Sequence, residues 1–414
     1  MLDIDFIREN KEEVKKACKA KQEDVDIDKL LELDEKRRSL KTKVDEMRHD
    51  QNKLTKKVEQ AEEDEREEII EEIKPLKKKL QKKEDEWKEV KKKWKDLMLQ
   101  VPNIPVSKVP EGESEEDNVV IDQWGDKPDF DFEPKDHLEI GRNLNLIDVE
   151  RAAKVSGSRF AYLKNEAVLL QFALVNLSLA YLLEKDFTPV LPPVMLRPDA
   201  MEGLGYLEQG EDDMYFLEKD ELFLAGTAEH PLAAMHSGEV LDGEDLPLRY
   251  VAFSPSFRRE AGSYGKDTRG IFRVHQFNKV EMFSICKPEN STDEHQFFLD
   301  LEQQLMQLLG IPYQVVQMCT ADLGHPVANK YDIETWMPSY NDYRETHSTS
   351  NCTDFQARRL NIQYEEDGEK KLVHTVNGTG FALGRTLIAI LENYQKEDGS
   401  IEVPSALQDY LEFE

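Results

Sequence analysis

Residues 253–283 read FSPSFRREAGSYGKDTRGIFRVHQFNKVEMF, and the fold turns on this stretch. Its second half alternates Arg273, His275, Phe277, Lys279 and Glu281 with Phe272, Val274, Val280 and Met282. Period-two alternation predicts a strand in which Arg273, Phe277 and Glu281 share a face. Spacings of four and eight also suit one side of a helix. The aromatic and β-branched content and the glycine-bearing loop 261–270 favour two antiparallel strands. From Arg258 to Lys279 there are six basic residues and two acids, inside a chain of net charge −30. Positive charge concentrated there suggests a bound anion, against the plainer reading of a solvated hairpin.

Working outward, 414 residues suffice for two or three domains, and 34% charged residues describe a very polar chain. The N-terminus, MLDIDFIRENKEEVKKACKAK, reads as a charged amphipathic helix without the apolar core of a signal peptide. No unbroken run of eighteen apolar residues follows it, so a cytoplasmic protein without membrane spans is expected. Cys18, Cys286, Cys319 and Cys352 lack C-x-x-C spacing, which argues against a disulfide framework or a thiolate zinc site. The net charge alone argues against nucleic acid as a partner.

The distribution of charge reverses that argument. Residues 1–100 hold 28 Lys and Arg against 29 Asp and Glu, so nearly the whole excess, −29, sits on the other 314 residues. Residues 36–57 are net +6 and residues 74–95 net +7, on either side of an acidic 59–73 of net −8. Leu33, Leu40, Met47 and Leu54 recur every seven residues with Leu30, Val44 and Val58 between them, Arg37 and Gln51 being polar exceptions. Ile69, Leu76, Val90 and Leu97 do the same with Ile73, Leu80, Trp87 and Trp94, broken by Lys83. Two such seams joined by a polar turn predict an antiparallel helical hairpin, a coiled-coil arm of about 45 Å. Pro75 should kink the second helix or mark its start. The basic runs fit a solvated coiled-coil surface or a reader of phosphate backbones.

The expected organisation is an arm domain over 1–100, a proline-rich acidic linker over 101–135 with a short strand at 119–121, and a second domain over 136–414. In the last, strands are expected at 188–191, 222–225, 248–253, 273–283, 313–317 and 373–377, and helices at 163–185, 292–309, 354–360 and 385–394. Strands without regular βαβ alternation give an α+β fold, a largely antiparallel sheet flanked by helices.

Several polar groups could carry chemistry. HTVNGTGFALGR, residues 374–385, runs from a strand into an apolar helix and puts Arg385 at the helix start, where the macrodipole disfavours a cation unless an anion faces it. Thr227 and Glu229 in LAGTAEHPL are expected on one strand face. Glu345 and Ser348 in YRETHSTSNC are expected on one side of a helical turn, as hard oxygen ligands for Mg2+. No P-loop is present.

In their order along the chain, TAE, FRREAGSYGKDTRGIFRVHQFNKVE, KYDIETWMPSYNDYRETHSTSNCTDFQARR and HTVNGTGFALGRTLIAILENYQ, behind a long helical hairpin, closely resemble the seryl-tRNA synthetases of bacterial type. The resemblance covers essentially the whole chain and all three class II motifs: motif 1 around LEKDFTPVLPPVM, motif 2 in the opening stretch, and motif 3 ending at Arg385. It implies a class II synthetase domain behind the coiled-coil arm. The implied activity is serine activation by ATP to seryl-adenylate and transfer to the 3′ end of tRNA(Ser), and of tRNA(Sec) where present.

The resemblance also implies roles. Arg258 meets the ATP α-phosphate and the reacting carboxylate, Glu260 holds the adenine end and pyrophosphate side, and Phe277 stacks on adenine. Arg273 assists with carboxylate and phosphates, while Arg385 grips the γ-phosphate, so that Arg258, Glu260, Arg273 and Arg385 form the catalytic set. Arg259, Thr346 and His347 complete the ATP-binding run with Glu345 and Ser348, which also take Mg2+. Thr227, Ala228, Glu229, Glu281 and Thr379 join Arg258 in binding serine; which contacts which atom is left open. The implied assembly is a homodimer whose arm lies along tRNA(Ser). Motif 1 departs from the family in carrying Asp186 where glycine is usual, and many relatives have serine at Thr379. A catalytically dead relative would lack several of these residues, and a carrier-protein aminoacylating relative would lack the arm. A zinc-dependent archaeal form would need a cysteine in the serine pocket, and Cys286 is poorly placed for it.

Overall fold

A computed structural model describes residues 1–207, 211–261 and 269–411, and the chain divides into two compact units, Leu2–Pro102 and a second running from Asn103. Most of the loop 261–270 thus lies outside the described residues.

In the first unit, α1 (Ile4–Glu9) and α2 (Lys11–Ala20) are separated by Asn10, whose φ of −122° leaves the helical region. The hairpin follows as α3 (Ile27–Gln60) and α4 (Glu63–Leu99). With 34 and 37 residues they extend about 50 Å or slightly more, longer than the sequence pattern suggested. Leu33, Leu40 and Val90 are buried along the seam with Trp87, Trp94 and Leu97 packed on them. The polar seam positions are accommodated locally. Arg37 lies 4.3 Å over the Trp94 ring and pairs with buried Asp34 at 2.6 Å, while Lys83 pairs with Glu86 at 2.7 Å. Arg48 and Glu84 tie the two helices at 2.7 Å. Pro75 does not mark the start of α4, which runs from Glu63 through it. Its missing N–H deprives the carbonyl of Glu71, an exposed residue, of its helical partner, a loss that water can make good.

The second unit is built on an eight-stranded sheet of β1 (Val119–Trp124), β2 (Thr188–Val190), β3 (Leu248–Phe257), β4 (Gln276–Cys286), β5 (Tyr313–Gln317), β6 (Asn329–Met337), β7 (Asp342–Thr353) and β8 (His374–Ala382). The spatial order is β1-β5-β6-β7-β8-β4-β3-β2, antiparallel throughout except for the edge pair β2–β3. The α+β architecture of arm and antiparallel sheet is therefore as expected. The strand expected inside the stretch 101–135 is β1, which closes one sheet edge.

Helices α5 (His137–Asn143), α6 (Glu166–Leu183), α7 (Glu229–Ala234), α8 (Ser291–Leu309) and α9 (Leu383–Asn393) accompany the sheet. Leu174, Met282, Phe298, Phe381 and Leu387 lie in the core between sheet and helices. Helix α6 is long and apolar enough to cross a membrane by length and composition. Its Leu170, Leu174, Leu177 and Leu182 are nonetheless in that core, whereas Leu169, Phe172 and Leu183 are exposed. Just beyond it Asp186 has a φ of 64°, the left-handed region in which glycine costs nothing and Asp is tolerated. The glycine expected there from the resemblance would have a conformational reason, and this chain adopts that conformation with an aspartate.

Three local expectations are corrected. Strand β4 begins at Gln276, so Arg273 is held by the preceding irregular limb and not by strand alternation. Thr227 and Glu229 do not share a strand face, because Glu229 opens α7 and its N–H donates to Thr227 Oγ1 at 3.2 Å. Glu345 and Ser348 lie on β7 and not on a helical turn. A bulge puts them on one side: Ile333 faces His347 and Glu334 faces Glu345, leaving Thr346 as the extra residue. One unpaired residue turns a spacing of three into a same-face spacing.

Candidate active site

One face of the central strands carries two adjoining cavities. The first, of about 370 Å³, is lined by Tyr206, Thr227, Glu229, His230, Lys279, Glu281 and Asn377 among others. The second, of about 310 Å³, is lined by Glu260, Phe272, Arg273, Phe277, Glu345, Thr346, Thr379 and Arg385. Arg258, Lys279, Lys330 and Ser348 line both. The alternation read from β4 builds this arrangement: Phe277, Lys279 and Glu281 face the cavities while Val280 and Met282 enter the core.

The first cavity is rich in buried charge. Glu281 is 1% exposed, pairs with Lys279 and accepts a hydrogen bond from Thr227 Oγ1 at 3.1 Å. Burial raises its pKa against the pull of Lys279. Glu229 accepts from Gln356 Nε2 at 2.8 Å and from the Tyr206 hydroxyl at 3.0 Å. Burial, followed by the neighbouring Glu281 charge, lifts its pKa to about 7. His230 is pushed down to about 3 by burial and by Arg258, so it remains a neutral wall residue. Buried acids together with Arg258, Lys279 and Lys330 suit a small zwitterion, offering partners for both its ammonium and its carboxylate.

The second cavity is framed by cations. Arg258 donates from Nε to the Gly226 carbonyl at 3.1 Å, and its guanidinium lies 5.3 Å from the Phe277 ring centre. Glu260 adopts a φ of 54°, uncommon for a non-glycine residue, and pairs with Arg273 at 3.1 Å. Arg385, in the first turn of α9, lies 4.7 Å over the Phe272 ring and bonds both the carboxylate and the carbonyl of Glu345 at 2.9 Å. The anion required by a cation at a helix start is therefore present in the chain. Burial opposes the Glu345 charge, but Arg385 and Lys330 outweigh it and hold its pKa below the ordinary value. Burial likewise works against Lys330, yet Asp332, 3.1 Å away, and Glu345 hold its pKa above normal.

Strand pairing places Thr379 opposite Glu281, with Gly380 as an extra residue beside it. The bulge takes the Thr379 N–H out of the ladder, and it donates at 2.8 Å to Glu302 Oε1, a fully buried carboxyl on α8. The Thr379 side chain lines the second cavity, not the first. Of the expected site residues, Ala228, Arg259 and His347 line neither cavity. Arg259 is exposed and 5.7 Å from the Tyr215 ring, whereas His347 is buried with its ring nitrogens at Thr346 Oγ1 and the Gly380 carbonyl. Sequence reasoning gave no role to Lys279, although alternation puts it on the face of Phe277 and Glu281. It gave none to Lys330, Tyr206 or Gln356, for which only folding supplies the signal.

Glu345 and Ser348 offer a carboxylate and a hydroxyl on one side of β7, beside the cation-framed cavity. Hard oxygens of this kind fit Mg2+, which keeps several waters and is typically held by one or two protein ligands together with phosphates. Among the described residues no group of three or more His, Cys, Asp and Glu could hold a metal by itself.

Comparison with known proteins places both units. Residues 1–105 match the seryl-tRNA synthetase N-terminal domain, and residues 215–394 match the class II tRNA synthetase core domain of the G, H, P, S and T enzymes. A serine–tRNA ligase of Dictyoglomus turgidum is 46% identical over 99% of this chain and 98% of its own length. Among solved structures, seryl-tRNA synthetase of Pyrococcus horikoshii complexed with ATP is 42% identical at a TM-score of 0.90, covering 100% of this chain and 98% of that one. The cytoplasmic serine–tRNA ligase of Naegleria fowleri in complex with AMP is 32% identical at a TM-score of 0.86, covering 99% and 97%.

Proposed function

The chain belongs to the seryl-tRNA synthetase family, and from that premise we propose that it is a serine–tRNA ligase working through seryl-adenylate. The first cavity takes L-serine, with Glu229 and Glu281 at the ammonium, Thr227 near the hydroxyl and Arg258 at the carboxylate. The second takes ATP, with adenine on Phe277 and the phosphates toward Arg258, Arg273 and Arg385. The observation that carries this reading is the junction of the two cavities at Arg258, where a carboxylate from one side and an α-phosphate from the other would meet.

The chemistry follows from ionisation. The serine carboxylate is already an anion at neutral pH, so it attacks the α-phosphorus without a general base, and the α–β bond breaks to release pyrophosphate. What the chain contributes is alignment and neutralisation of the charge spread over the phosphates. Glu345 and Ser348 would hold Mg2+, which would supply further charge neutralisation. Glu260 fixes Arg273 by their ion pair, and Glu281 is fixed by Lys279 and Thr227. In the second step the 3′-hydroxyl of the terminal ribose of tRNA(Ser), or of tRNA(Sec) where present, attacks the seryl carbonyl and AMP leaves. A site that hydrogen-bonds the serine hydroxyl leaves buried polar groups unpaired with alanine, which can discriminate by roughly 10⁴-fold.

The arm is the proposed contact for tRNA, its net +6 and +7 segments supplying phosphate contacts that the acidic body cannot. The exposed Leu169, Phe172 and Leu183 of α6, with Leu191 beyond it, are the proposed dimer face of a cytoplasmic homodimer. Serine-dependent ATP–pyrophosphate exchange tests the central proposal. Arg258→Ala should abolish it, and full exchange in that variant would remove the assignment of the junction.

A further inference from the structure

The wall of the nucleotide cavity formed by Ile271, Phe272, Arg273 and Val274 is not part of any strand, since β4 begins at Gln276. Something outside the sheet must fix it. We propose that His137 is a positioning residue for ATP: with Glu392 it hangs this limb from the same helix that carries Arg385. The proposal rests on the reading of the second cavity as the nucleotide site.

His137 is 3% exposed and Glu392 fully buried. Glu392 Oε1 accepts the His137 backbone N–H at 3.0 Å and faces the ring Nδ1 at 3.1 Å, while Oε2 accepts the Ser339 N–H at 3.0 Å. A carboxylate at Nδ1 puts the ring proton there and leaves Nε2 as an acceptor. The Ile271 N–H donates to that Nε2 at 3.4 Å. The long distance marks a bond sensitive to small displacements. The backbone approaches the ring so closely that a Cβ on Gly270, whose φ is 78°, would stand 2.0 Å from Nε2. Glycine is required there on both counts.

The anchor end is firm. Gln395, just past α9, grips Lys135 on both sides, accepting its N–H at 2.7 Å and donating to its carbonyl at 3.1 Å. Helix α9 thus holds the limb at two points. At its first turn Arg385 lies over the Phe272 ring and donates to the Phe272 carbonyl at 3.4 Å; two turns on, Glu392 acts through His137 on Ile271. Both points bear on the segment that presents Phe272 and Arg273 to the phosphates. No atom of His137 lines either cavity, so its effect is on position alone.

The test compares the full chain with His137→Phe, which fills the space without an acceptor, and His137→Gln, whose side-chain oxygen can accept from Ile271. In the Phe variant the Ile271 amide should exchange with solvent about tenfold faster or more, while the β3–β4 amides keep their protection. The kcat/KM for ATP in pyrophosphate exchange should fall about tenfold with the serine KM within about twofold, and the Gln variant should recover most of both. Unchanged Ile271 protection, a parallel fall for ATP and serine, or a Gln variant no better than Phe would each overturn the proposal. If His137→Phe does not fold, His137→Leu, smaller and likewise without an acceptor for the Ile271 N–H, carries the test, and the same changes are expected. Wild-type protein without serine-dependent exchange would refute the functional reading instead, and the amide measurement would still decide the tie.

Discussion

Glu229 offers a quantitative check on the serine cavity. Its carboxyl titrates near 7 in the unliganded protein because it is buried beside the Glu281 charge. A serine ammonium placed against it favours the ionised form, so below pH 7 a proton and the substrate compete for the same oxygens. At pH 6 about a tenth of a group titrating near 7 is ionised, so kcat/KM for serine should be about tenfold below its value at pH 8, with ATP dependence little changed. Glu229→Gln can keep the existing hydrogen bonds, its oxygen accepting from Gln356 and its amide donating to the Tyr206 hydroxyl. That variant should have a raised serine KM and no pH step. Stability should move the other way. The folded pKa lies above the ordinary 4.5, so the native state holds the extra proton between about 4.5 and 7 and loses stability as pH rises through that window. Removing the charge should stabilise the unliganded protein by up to about 3 kcal/mol at pH 8 and by nothing at pH 4.5, read from urea unfolding. A flat serine kcat/KM between pH 6 and 8 in the wild type, or a Gln variant with an unchanged serine KM, would refute the placement of the ammonium at Glu229.

Two further outcomes follow from the fold. Removing residues 30–97 should leave serine-dependent exchange within about threefold and lower tRNA charging at least a hundredfold, since the arm unit is proposed to contact only tRNA; normal charging by the truncated enzyme would assign the arm another task. Burial drives the Glu302 pKa well above normal, favouring the uncharged carboxyl, and its Oε1 accepts from the Thr379 N–H. Glu302→Gln should therefore cost under about 1 kcal/mol in unfolding free energy, whereas Glu302→Ala should cost about 2–4 kcal/mol through the unsatisfied N–H and the cavity.

How far the sequence could be read depended on whether a local rule governed each element. The heptads at Leu33, Leu40, Trp87 and Trp94 gave the arm because a two-helix seam has few neighbours to override periodicity. Helix α8 and strand β5 fell almost on their expected bounds. The hairpin β6–β7 was missed although it occupies the middle of the sheet. In β7, Glu345, Thr346 and Ser348 are polar because they line the second cavity, so the alternation that marks a half-buried strand is hidden there, whereas β6 does alternate, Tyr331 and Ile333 entering the core between Lys330, Asp332 and Glu334. The bulge at Thr346 then disguised a strand spacing as a helical one. Lys330 and Gln356 had no signal in sequence, since each matters only through a partner brought from elsewhere, Asp332 and Glu345 for one and Glu229 for the other. Nothing in the structure explains the acidic excess on the body.

The cations of the site share a design that bears on how substrates enter. Arg385 is held by Glu345, Arg273 by Glu260 and Lys279 by Glu281. Each pair has already met the cost of desolvating and orienting its cation, so in the proposed reaction a phosphate meets a guanidinium fixed in place and not a mobile side chain. The same pairing sets a threshold, because an anion must compete with a carboxylate already in the chain. A triphosphate can do so by adding charge, and the carboxylate it displaces from Arg385 is Glu345, the proposed Mg2+ ligand. Nucleotide binding would then free Glu345 to hold the proposed Mg2+. An isolated monoanion, which brings neither the charge nor the metal, would leave the Arg385–Glu345 pair closed.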